Sequence, residues 1–285
     1  MPQRFCAAFA LIALLASGAR AQSPLGEGVP YIQTPQLVVD KMLELAQVGP
    51  DDFLIDLGSG DGRIVITAAK RHGTRGFGVE LDPSLVEASN EAARKAGVAE
   101  RARFFVRDLF ETDIRDATVL TMYLLPEFNL QLRPRILAEL KPGTRVLSHD
   151  WDMGEWQPDA KLVLEGVVKP VMPLRVSTVY LWIVPAKVAG QWTLRQDGAQ
   201  PASIDIEFRQ RFQVISGVVK RESGRSLIQN ASLRGAEVRF TLVDEASGAS
   251  EPLEFRGRVE GDAMEGTTAA GRRWRAQRKA DKIAR

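Results

Sequence analysis

Between residues 30 and 184, short apolar runs alternate with stretches in which apolar residues recur at helical spacing. This alternation predicts a parallel β-sheet with helices on both faces. Two helices are predicted over residues 35–47 and 83–95, the second opening on Asp82 and Pro83. The predicted strands are short, apolar and bounded by Gly, Asp or Pro, as buried parallel strands are: 53–57, 76–80, 102–107, 117–123 and 145–148.

The pattern changes after Asp150. Residues 161–169 and 174–184 flank a turn that contains proline, and they are predicted to pair as an antiparallel hairpin that closes the sheet. Residues 22–189 are therefore expected to form a Rossmann-like, doubly wound α/β domain with a C-terminal antiparallel hairpin.

Helical periodicity is absent from residue 190 onward. Residues 190–279 are predicted to form a small all-β accessory domain, either a barrel or a sandwich. Its glycines are interpreted as turn and bulge positions, and the segment shows no catalytic cluster. Eight strands are expected, over 192–195, 204–208, 212–219, 227–233, 238–243, 253–259, 263–268 and 274–278.

Residues 1–21 have the pattern of an export signal. Arg4 precedes an apolar run over 6–16, and residues 19–21 offer small side chains at a plausible cleavage position. The run is shorter than the roughly 20 residues that a membrane-spanning helix needs. We therefore expect a signal peptide and an exported protein, periplasmic or secreted. The alternative is an uncleaved anchor that leaves the protein facing the cytoplasm.

Composition is that of a soluble globular protein, with 45% hydrophobic and 26% charged residues. Loss of residues 1–21 would remove the only cysteine, Cys6, and would lower the 38 basic residues to 36, equal to the 36 acidic ones. A neutral chain of this kind argues against general nucleic-acid binding, so no nucleic-acid partner is expected. A basic tail over 280–285 extends a basic stretch, which is interpreted as a solvated chain end, with a membrane or phosphate tether as the alternative. This tail and the signal segment are the only candidates for membrane contact.

Candidate chemistry concentrates where the first strand passes into a helix. Glycines in such a turn let a ligand approach main-chain N–H groups closely. Arg63 stands where the dinucleotide pattern G-x-G-x-x-G requires Gly or Ala, so the spacing disfavours a nicotinamide enzyme. The candidate cofactor-binding residues of this turn are Asp56, Gly58, Ser59, Gly60, Asp61 and Gly62.

Two further acids follow the next strands in order. Glu80 ends the second strand, eighteen residues beyond Gly62, where a carboxylate can accept protons from both ribose hydroxyls. Asp108 and Leu109 follow the third strand, where an acid can accept from an adenine amino group while the main chain contacts the ring edge. The three positions in register predict one nucleoside-containing cofactor.

The run 56–62, Glu80 and Asp108 resemble the cofactor-binding motifs of class I S-adenosylmethionine (SAM) dependent methyltransferases. More narrowly, residues 30–35, 56–65 and 123–126 resemble the small protein-lysine methyltransferases related to the mitochondrial ATP synthase c-subunit enzyme. The resemblance implies SAM as cofactor. It also implies that Tyr31 and Thr34 lie near the methionine end of SAM, and that Tyr123 and Pro126 border the methyl-transfer site.

Methyl transfer requires mainly that a nucleophile be aligned with the S–CH3 bond. A lysine acceptor must first lose a proton, which a pocket of low dielectric favours. Tyr123 and Asn129 are candidates to orient the amine, and Glu127 or Asp150 to take the proton, with helix cap or surface acid as the alternative role of each acid. His149 ends the fifth strand, near where ligands bind such sheets, and a structural histidine is the alternative there.

Three functions follow from these residues. The first is a methyltransferase that acts on an amine of a protein, such as a lysine, or of a small molecule. The second is an exported SAM-binding scaffold protein without turnover, and the third is a nicotinamide oxidoreductase, which Arg63 disfavours. No metal site is expected, because the histidines His72 and His149 form no cluster with ligand spacing.

Overall fold

A computed structural model describes residues 31–169, 175–197, 203–221, 224–243 and 252–280. The predicted signal peptide over 1–21 lies outside these residues, as do residues 281–285 of the basic tail. None of the helices in the described part of the chain has the length and apolar character needed to span a bilayer.

Seven strands form the first sheet: β1 (Phe53–Leu57), β2 (Arg75–Glu80), β3 (Ala102–Val106), β4 (Val119–Met122), β5 (Arg145–His149), β6 (Ala160–Glu165) and β7 (Val176–Ile183). Their order is β3-β2-β1-β4-β5-β7-β6. The first five pair in parallel, whereas β7 runs antiparallel to both β5 and β6. The doubly wound α/β sheet and its closing antiparallel hairpin, both predicted from the sequence, are confirmed.

The helices of this domain are α1 (Gln36–Leu45), α2 (Arg63–His72), α3 (Pro83–Lys95) and α4 (Pro126–Glu139). Helix α3 has the predicted bounds because Pro83 fits its first turn and the Asp82 carboxylate accepts from the Ser84 amide at 2.8 Å. Apolar side chains of α1, α2 and α3 pack with β1, β4 and β5 in one core. This core fixes the strand ends that carry the candidate site.

The strand order reverses between β1 and β4, which lie side by side although β2 and β3 come between them in the chain. Leu57 at the end of β1 is in register with Met122 at the end of β4. Ligands of open α/β sheets bind at the carboxyl ends of the strands beside such a switch point. This edge of the sheet carries Glu80, Tyr123, His149 and the turn between β1 and α2 (residues 58–62), which we call the glycine turn.

A second sheet of nine antiparallel strands follows: β8 (Gly190–Gln196), β9 (Ser203–Arg211), β10 (Val214–Arg221), β11 (Gly224–Leu227), β12 (Gln229–Arg234), β13 (Glu237–Leu242), β14 (Leu253–Glu260), β15 (Ala263–Thr268) and β16 (Arg273–Arg278). Their order is β11-β10-β9-β8-β16-β15-β14-β13-β12. The Ile228 amide, just before β12, donates to the Gly217 carbonyl of β10 at 3.0 Å and nearly closes the sheet. The predicted all-β domain is therefore barrel-like.

Eight strands were expected here, and nine are present in the described residues, because β11 precedes the predicted segment 227–233, most of which forms β12. Asn230 has a φ of +48°, and the pairing of β12 with β13 shifts register between Gln229 and Ser232. Asn tolerates this left-handed conformation, so a bulge forms where the apolar pattern alone predicts a continuous strand.

The β9–β10 turn, which we call the hairpin tip (residues 211–213), contacts the segment that follows β5. The ring of Phe212 stacks on Trp156, with centroids 6.1 Å apart and planes at 16°. The guanidinium carbon of Arg133 on α4 lies 5.6 Å from the Phe212 centroid, and Gln213 Nε2 donates to the Gln157 carbonyl at 2.6 Å. The barrel-like domain therefore packs against the chain just beyond Asp150.

Candidate active site

The turn between β1 and α2 is held on the end of β2. The amides of Gly58 and Ser59 donate to the Val79 carbonyl at 3.0 and 2.9 Å. Gly58, Gly60 and Gly62 have φ values of +74°, +52° and +77°, a region that residues with a Cβ rarely occupy. The three predicted glycines therefore shape one turn, which places backbone amides at the carboxyl end of the sheet.

The turn packs closely on β2 at one point. A Cβ added to Gly78 would lie 2.4 Å from Ser59 Cβ, so only glycine there lets the turn approach the strand. The Ser59 hydroxyl is buried and has no hydrogen-bond partner among the described residues. A buried unpaired oxygen is costly unless a ligand or water pairs with it.

Glu80 projects from the end of β2 onto this turn. Its Oε2 accepts from the Gly60 amide at 3.0 Å, and its Oε1 accepts from the Leu81 amide at 2.7 Å. A carboxylate at this position fits the predicted contact with ribose hydroxyls. Asp108 caps the turn after β3 by accepting from the Phe110 amide at 2.8 Å, and Leu109 is buried beside it.

Asp56 lies inside the sheet rather than at its surface. Its carboxyl group accepts from the Thr121 hydroxyl of β4 at 2.7 Å, and the residue is 2% exposed. Burial, with the nearby charges of Glu80 and Asp61, raises the pKa of Asp56 to about 7. This geometry gives Asp56 a role in tying β1 to β4 beneath the turn, and not the direct contact with a cofactor that the motif predicts.

The segment before α1 is tied to the same edge of the sheet. Arg63, which forms an ion pair with Asp61, donates from Nη1 to the Thr34 carbonyl at 2.8 Å. The Thr34 hydroxyl lies 3.3 Å from His149 Nδ1. Tyr31, also predicted near the cofactor, is 43% exposed. Thr34 is thus placed between the glycine turn and the end of β5.

Beyond β4 and β5, four side chains form what we call the Asp150 cluster: Tyr123, His149, Asp150 and Lys169. Asp150 Oδ2 accepts from the Tyr123 hydroxyl at 3.1 Å and forms an ion pair with Lys169, while Oδ1 accepts from the Thr178 amide at 3.0 Å. The rings of Tyr123 and His149 lie 4.0 Å apart between centroids. The structure therefore unites three of the predicted catalytic candidates.

Electrostatics sets the protonation states in this cluster. Burial, with a smaller effect of the Lys169 charge, lowers the pKa of His149 to about 4 against the opposing effect of Asp150. Burial and the Asp150 charge raise the pKa of Tyr123 above its usual range. At neutral pH, His149 is neutral and Tyr123 keeps its proton.

The other predicted catalytic residues lie elsewhere. Pro126 and Glu127 form the first turn of α4, where Glu127 is exposed. Asn129 is fully buried, and its amide donates to the Ser148 hydroxyl at 3.0 Å and to the Trp151 carbonyl at 3.1 Å. Asn129 therefore holds the segment after β5 through its amide nitrogen, while its Oδ1 has no hydrogen-bond partner among the described residues, and the role of orienting an amine stays a prediction.

Comparison with known proteins places this site in a family. Residues 56–160 match the family model described as the ANTKMT methyltransferase domain. A protein-lysine N-methyltransferase of Saccharolobus islandicus is 43% identical over 157 residues, which cover 55% of this chain and 94% of the relative. The chain belongs to this methyltransferase family. The adenine nucleotide translocase lysine N-methyltransferase of Mus musculus is 35% identical over 161 residues, 56% of this chain and 69% of the relative.

A solved structure supports the cofactor of this methyltransferase. An RNA methyltransferase from Salinibacter ruber, crystallised with S-adenosyl-L-homocysteine, is 52% identical, covers 55% of this chain and 95% of its own, and has a TM-score of 0.50. The chain is thus a class I SAM-dependent methyltransferase, as the resemblance implied. SAM, when bound, supplies a methyl group on a sulfonium. The glycine turn, the free Ser59 hydroxyl and the Glu80 carboxylate fit such a ligand.

Lys169 and Ser177 were missed by the sequence analysis. Lys169 ends a strand-like run and Ser177 is the second residue of β7, so each looks like an ordinary hairpin residue. The fold brings Lys169 to Asp150, and Ser177 Oγ to within 3.1 Å of His149 Nε2. The antiparallel pairing of β7 with β5 places Ser177 beside His149, and the hairpin of β6 and β7 brings Lys169 to Asp150.

The methyltransferase is expected to lose stability in acid through His149. The pKa of His149 is 6.5 in the unfolded chain and about 4 in the folded chain. Between pH 4 and pH 6.5 the folded state therefore binds fewer protons than the unfolded state. The His149 contribution to the free energy of unfolding is therefore present above pH 6.5 and falls, by on the order of 3 kcal/mol, as the pH drops towards 4.

Urea unfolding of the wild type and of His149→Gln, each at pH 7.5 and pH 4.5, measures this effect. The raised pKa of Asp56 acts in the opposite direction, but it is common to both proteins and cancels in their difference. The stability advantage of the wild type over the variant should shrink in acid. If the difference in free energy of unfolding between the two proteins is the same at both pH values, the lowered pKa of His149 is contradicted.

Proposed function

We propose that this SAM-dependent methyltransferase acts on the side-chain amine of lysine in a protein acceptor. The observation that carries the proposal is the hydrogen bond from the Tyr123 hydroxyl to Asp150. The two relatives described above, from Saccharolobus islandicus and Mus musculus, are named as lysine N-methyltransferases, which supports the same acceptor class.

Tyr123 has one hydroxyl proton, and that proton is committed to Asp150 at 3.1 Å. The oxygen can therefore offer only lone pairs to an incoming group. An amine, which carries N–H donors, fits this arrangement, whereas a carboxylate acceptor does not. A hydrogen bond from the amine to Tyr123 also turns the nitrogen lone pair away from the phenol, which leaves it free for the S–CH3 bond.

The proton of a lysine ammonium also has a route out of the site. Tyr123 keeps its own proton at neutral pH, so it acts as a relay: it accepts a proton from the amine and passes one to Asp150. Lys169, with a side chain 2% exposed, forms an ion pair with the Asp150 carboxylate and places a positive charge beside this end of the route. One ammonium proton leaves through Tyr123 and Asp150 before transfer, which frees the nitrogen lone pair. SAM, when bound, would supply the methyl group to this lone pair, with a neutral thioether as the leaving group.

The test is to incubate the protein with tritiated SAM and, separately, with lysine-rich histones, poly-L-lysine and total RNA. After hydrolysis, label is expected in methyllysine. Label found only in nucleosides would replace the proposal with RNA methylation, the activity named for the Salinibacter ruber structure. SAM binding without transfer to any acceptor would favour the scaffold function.

A further inference from the structure

Six exposed arginines lie side by side on the outside of the barrel-like domain: Arg195, Arg239, Arg256, Arg258, Arg273 and Arg275. We call them the arginine face. We propose that the arginine face binds an acidic segment of the protein acceptor. This inference rests on the proposed function, because it names a feature of the acceptor that the methyltransferase site would act on.

Strand register builds the arginine face in two rows. In the first row, Arg239 on β13 is opposite Arg256 on β14, Arg256 is opposite Thr267 on β15, and Thr267 is opposite Arg273 on β16. Neighbouring strands are about 4.8 Å apart and side chains on one face of a strand about 6.8 Å apart. The guanidinium groups therefore occupy one continuous surface.

The second row lies two residues further along the same strands. Arg258 is opposite Glu265, Glu265 is opposite Arg275, and Arg275 is opposite Arg195 on β8. These four residues line one surface groove of about 750 Å³. The groove is large enough to hold an extended peptide segment rather than a single ion.

Ion pairs within the described part of the domain involve only three of the six arginines, and Arg258 pairs with Glu260 at 3.7 Å. Arg239 and Arg256 share Glu254, at 3.1 and 2.9 Å. Arg195 and Arg275, by contrast, face each other directly, and neither has an ion-pair partner within the described ranges. Like charges opposite each other on adjacent strands are destabilising. A negatively charged ligand would remove that repulsion.

Guanidinium groups bind carboxylate and phosphate in a bidentate manner, so both chemistries must be weighed. Nucleic acid is disfavoured because the aromatic side chains of these strands all point inward and leave no platform for base stacking. Each is at most 1% exposed: Trp192, Phe240, Phe255 and Trp274.

Acidic residues within the arginine face also favour an acidic polypeptide over a nucleic acid as the partner. Glu265 stands between Arg258 and Arg275 in the second row, and Glu237 is opposite Arg258 at its end. A continuous run of phosphates would meet these carboxylates and be repelled. A polypeptide that carries carboxylates on alternate residues can keep them away from Glu265 and Glu237 and can still contact both rows of arginines.

The test uses the full-length protein and a fluorescent 20-residue peptide of alternating Glu and Ser, with fluorescence anisotropy as the readout. The variant Arg195→Glu/Arg275→Glu is expected to raise the dissociation constant at least about tenfold. A control with the same charge change outside the arginine face, Lys141→Glu/Arg209→Glu, should change it less than about twofold. Both control residues are exposed, and SAM affinity should be equal in all three proteins.

Equal peptide binding by wild type and the Arg195→Glu/Arg275→Glu variant would overturn the inference. So would tighter binding of a 20-base-pair RNA duplex, or of phosphatidylglycerol vesicles, that depends on the same arginines. The peptide contains no lysine, so its binding does not report on transfer. Methyllysine without peptide binding refutes only the arginine face, whereas peptide binding without methyllysine refutes only the proposed acceptor.

Discussion

Replacing Gly62 with alanine is expected to weaken SAM binding about 100-fold, the equivalent of about 2.8 kcal/mol. Gly62 has a φ of +77°, and an added Cβ would lie 2.5 Å from Phe104 Cζ and 3.0 Å from Ser89 Cβ. Left-handed strain costs about 1 kcal/mol, and overpacking a further 1–3 kcal/mol. The turn must move to relieve the clash, and its amides and the Glu80 contact move with it.

Isothermal titration with SAM measures the effect, and Gly97→Ala provides a matched control. Gly97 has a φ of +71°, nearly that of Gly62, but an added Cβ there meets nothing within 4 Å. The control should lose about 1 kcal/mol of stability to backbone strain and retain wild-type SAM affinity. If the two variants bind SAM equally well, the clash at Phe104 does not govern the site.

The second large effect is expected from Asp150→Asn, which should slow methyl transfer about 100-fold or more and leave SAM affinity within about threefold of wild type. Asparagine preserves the size of the side chain and tolerates the φ of +64° at this position. It removes the carboxylate that accepts from Tyr123 and that receives the amine proton in the proposed reaction. Transfer of tritium from SAM to histones, measured under single-turnover conditions, tests this.

Two controls separate chemistry from folding. The single variant leaves the Lys169 ammonium buried without its partner, which costs about 3–5 kcal/mol, whereas Asp150→Asn/Lys169→Met removes both charges. The double variant should recover stability but not transfer. Glu127→Gln, at the exposed start of α4, should transfer at the wild-type rate. If either Asp150 variant transfers methyl groups at the wild-type rate, a group other than Asp150 accepts the amine proton.

The α/β sheet was predictable because its central strands β1, β4 and β5 are buried on both faces and appear in the sequence as short apolar runs between turn residues. Helix α3 was predicted with the correct bounds, since the Asp82 cap and Pro83 act locally. The bulge at Asn230 and the turn at Phe212, where φ is +55°, were not predictable, because tertiary contacts fix both and the apolar pattern runs through them.

In the site, sequence order was enough to bring the glycine turn, Glu80 and Asp108 to one edge, because parallel strands end on the same side. Side-chain direction was not predictable. Asn129 follows the predicted methyl-transfer segment closely, yet it faces the core. Lys169 reaches Asp150 only through the hairpin of β6 and β7, a long-range pairing that leaves no local signal in the chain.

The contact between the hairpin tip and Trp156 predicts which residues will be found together at positions 156 and 212 in descendants of this chain. Trp156 is fully buried, and the ring that stacks on it, Phe212, belongs to the barrel-like domain. A descendant that lost this domain would expose the Trp156 indole and would gain from a smaller or polar residue at position 156. We therefore expect large aromatic residues at 156 and 212 to be inherited together, as a mark of chains in which the two domains evolved as one protein.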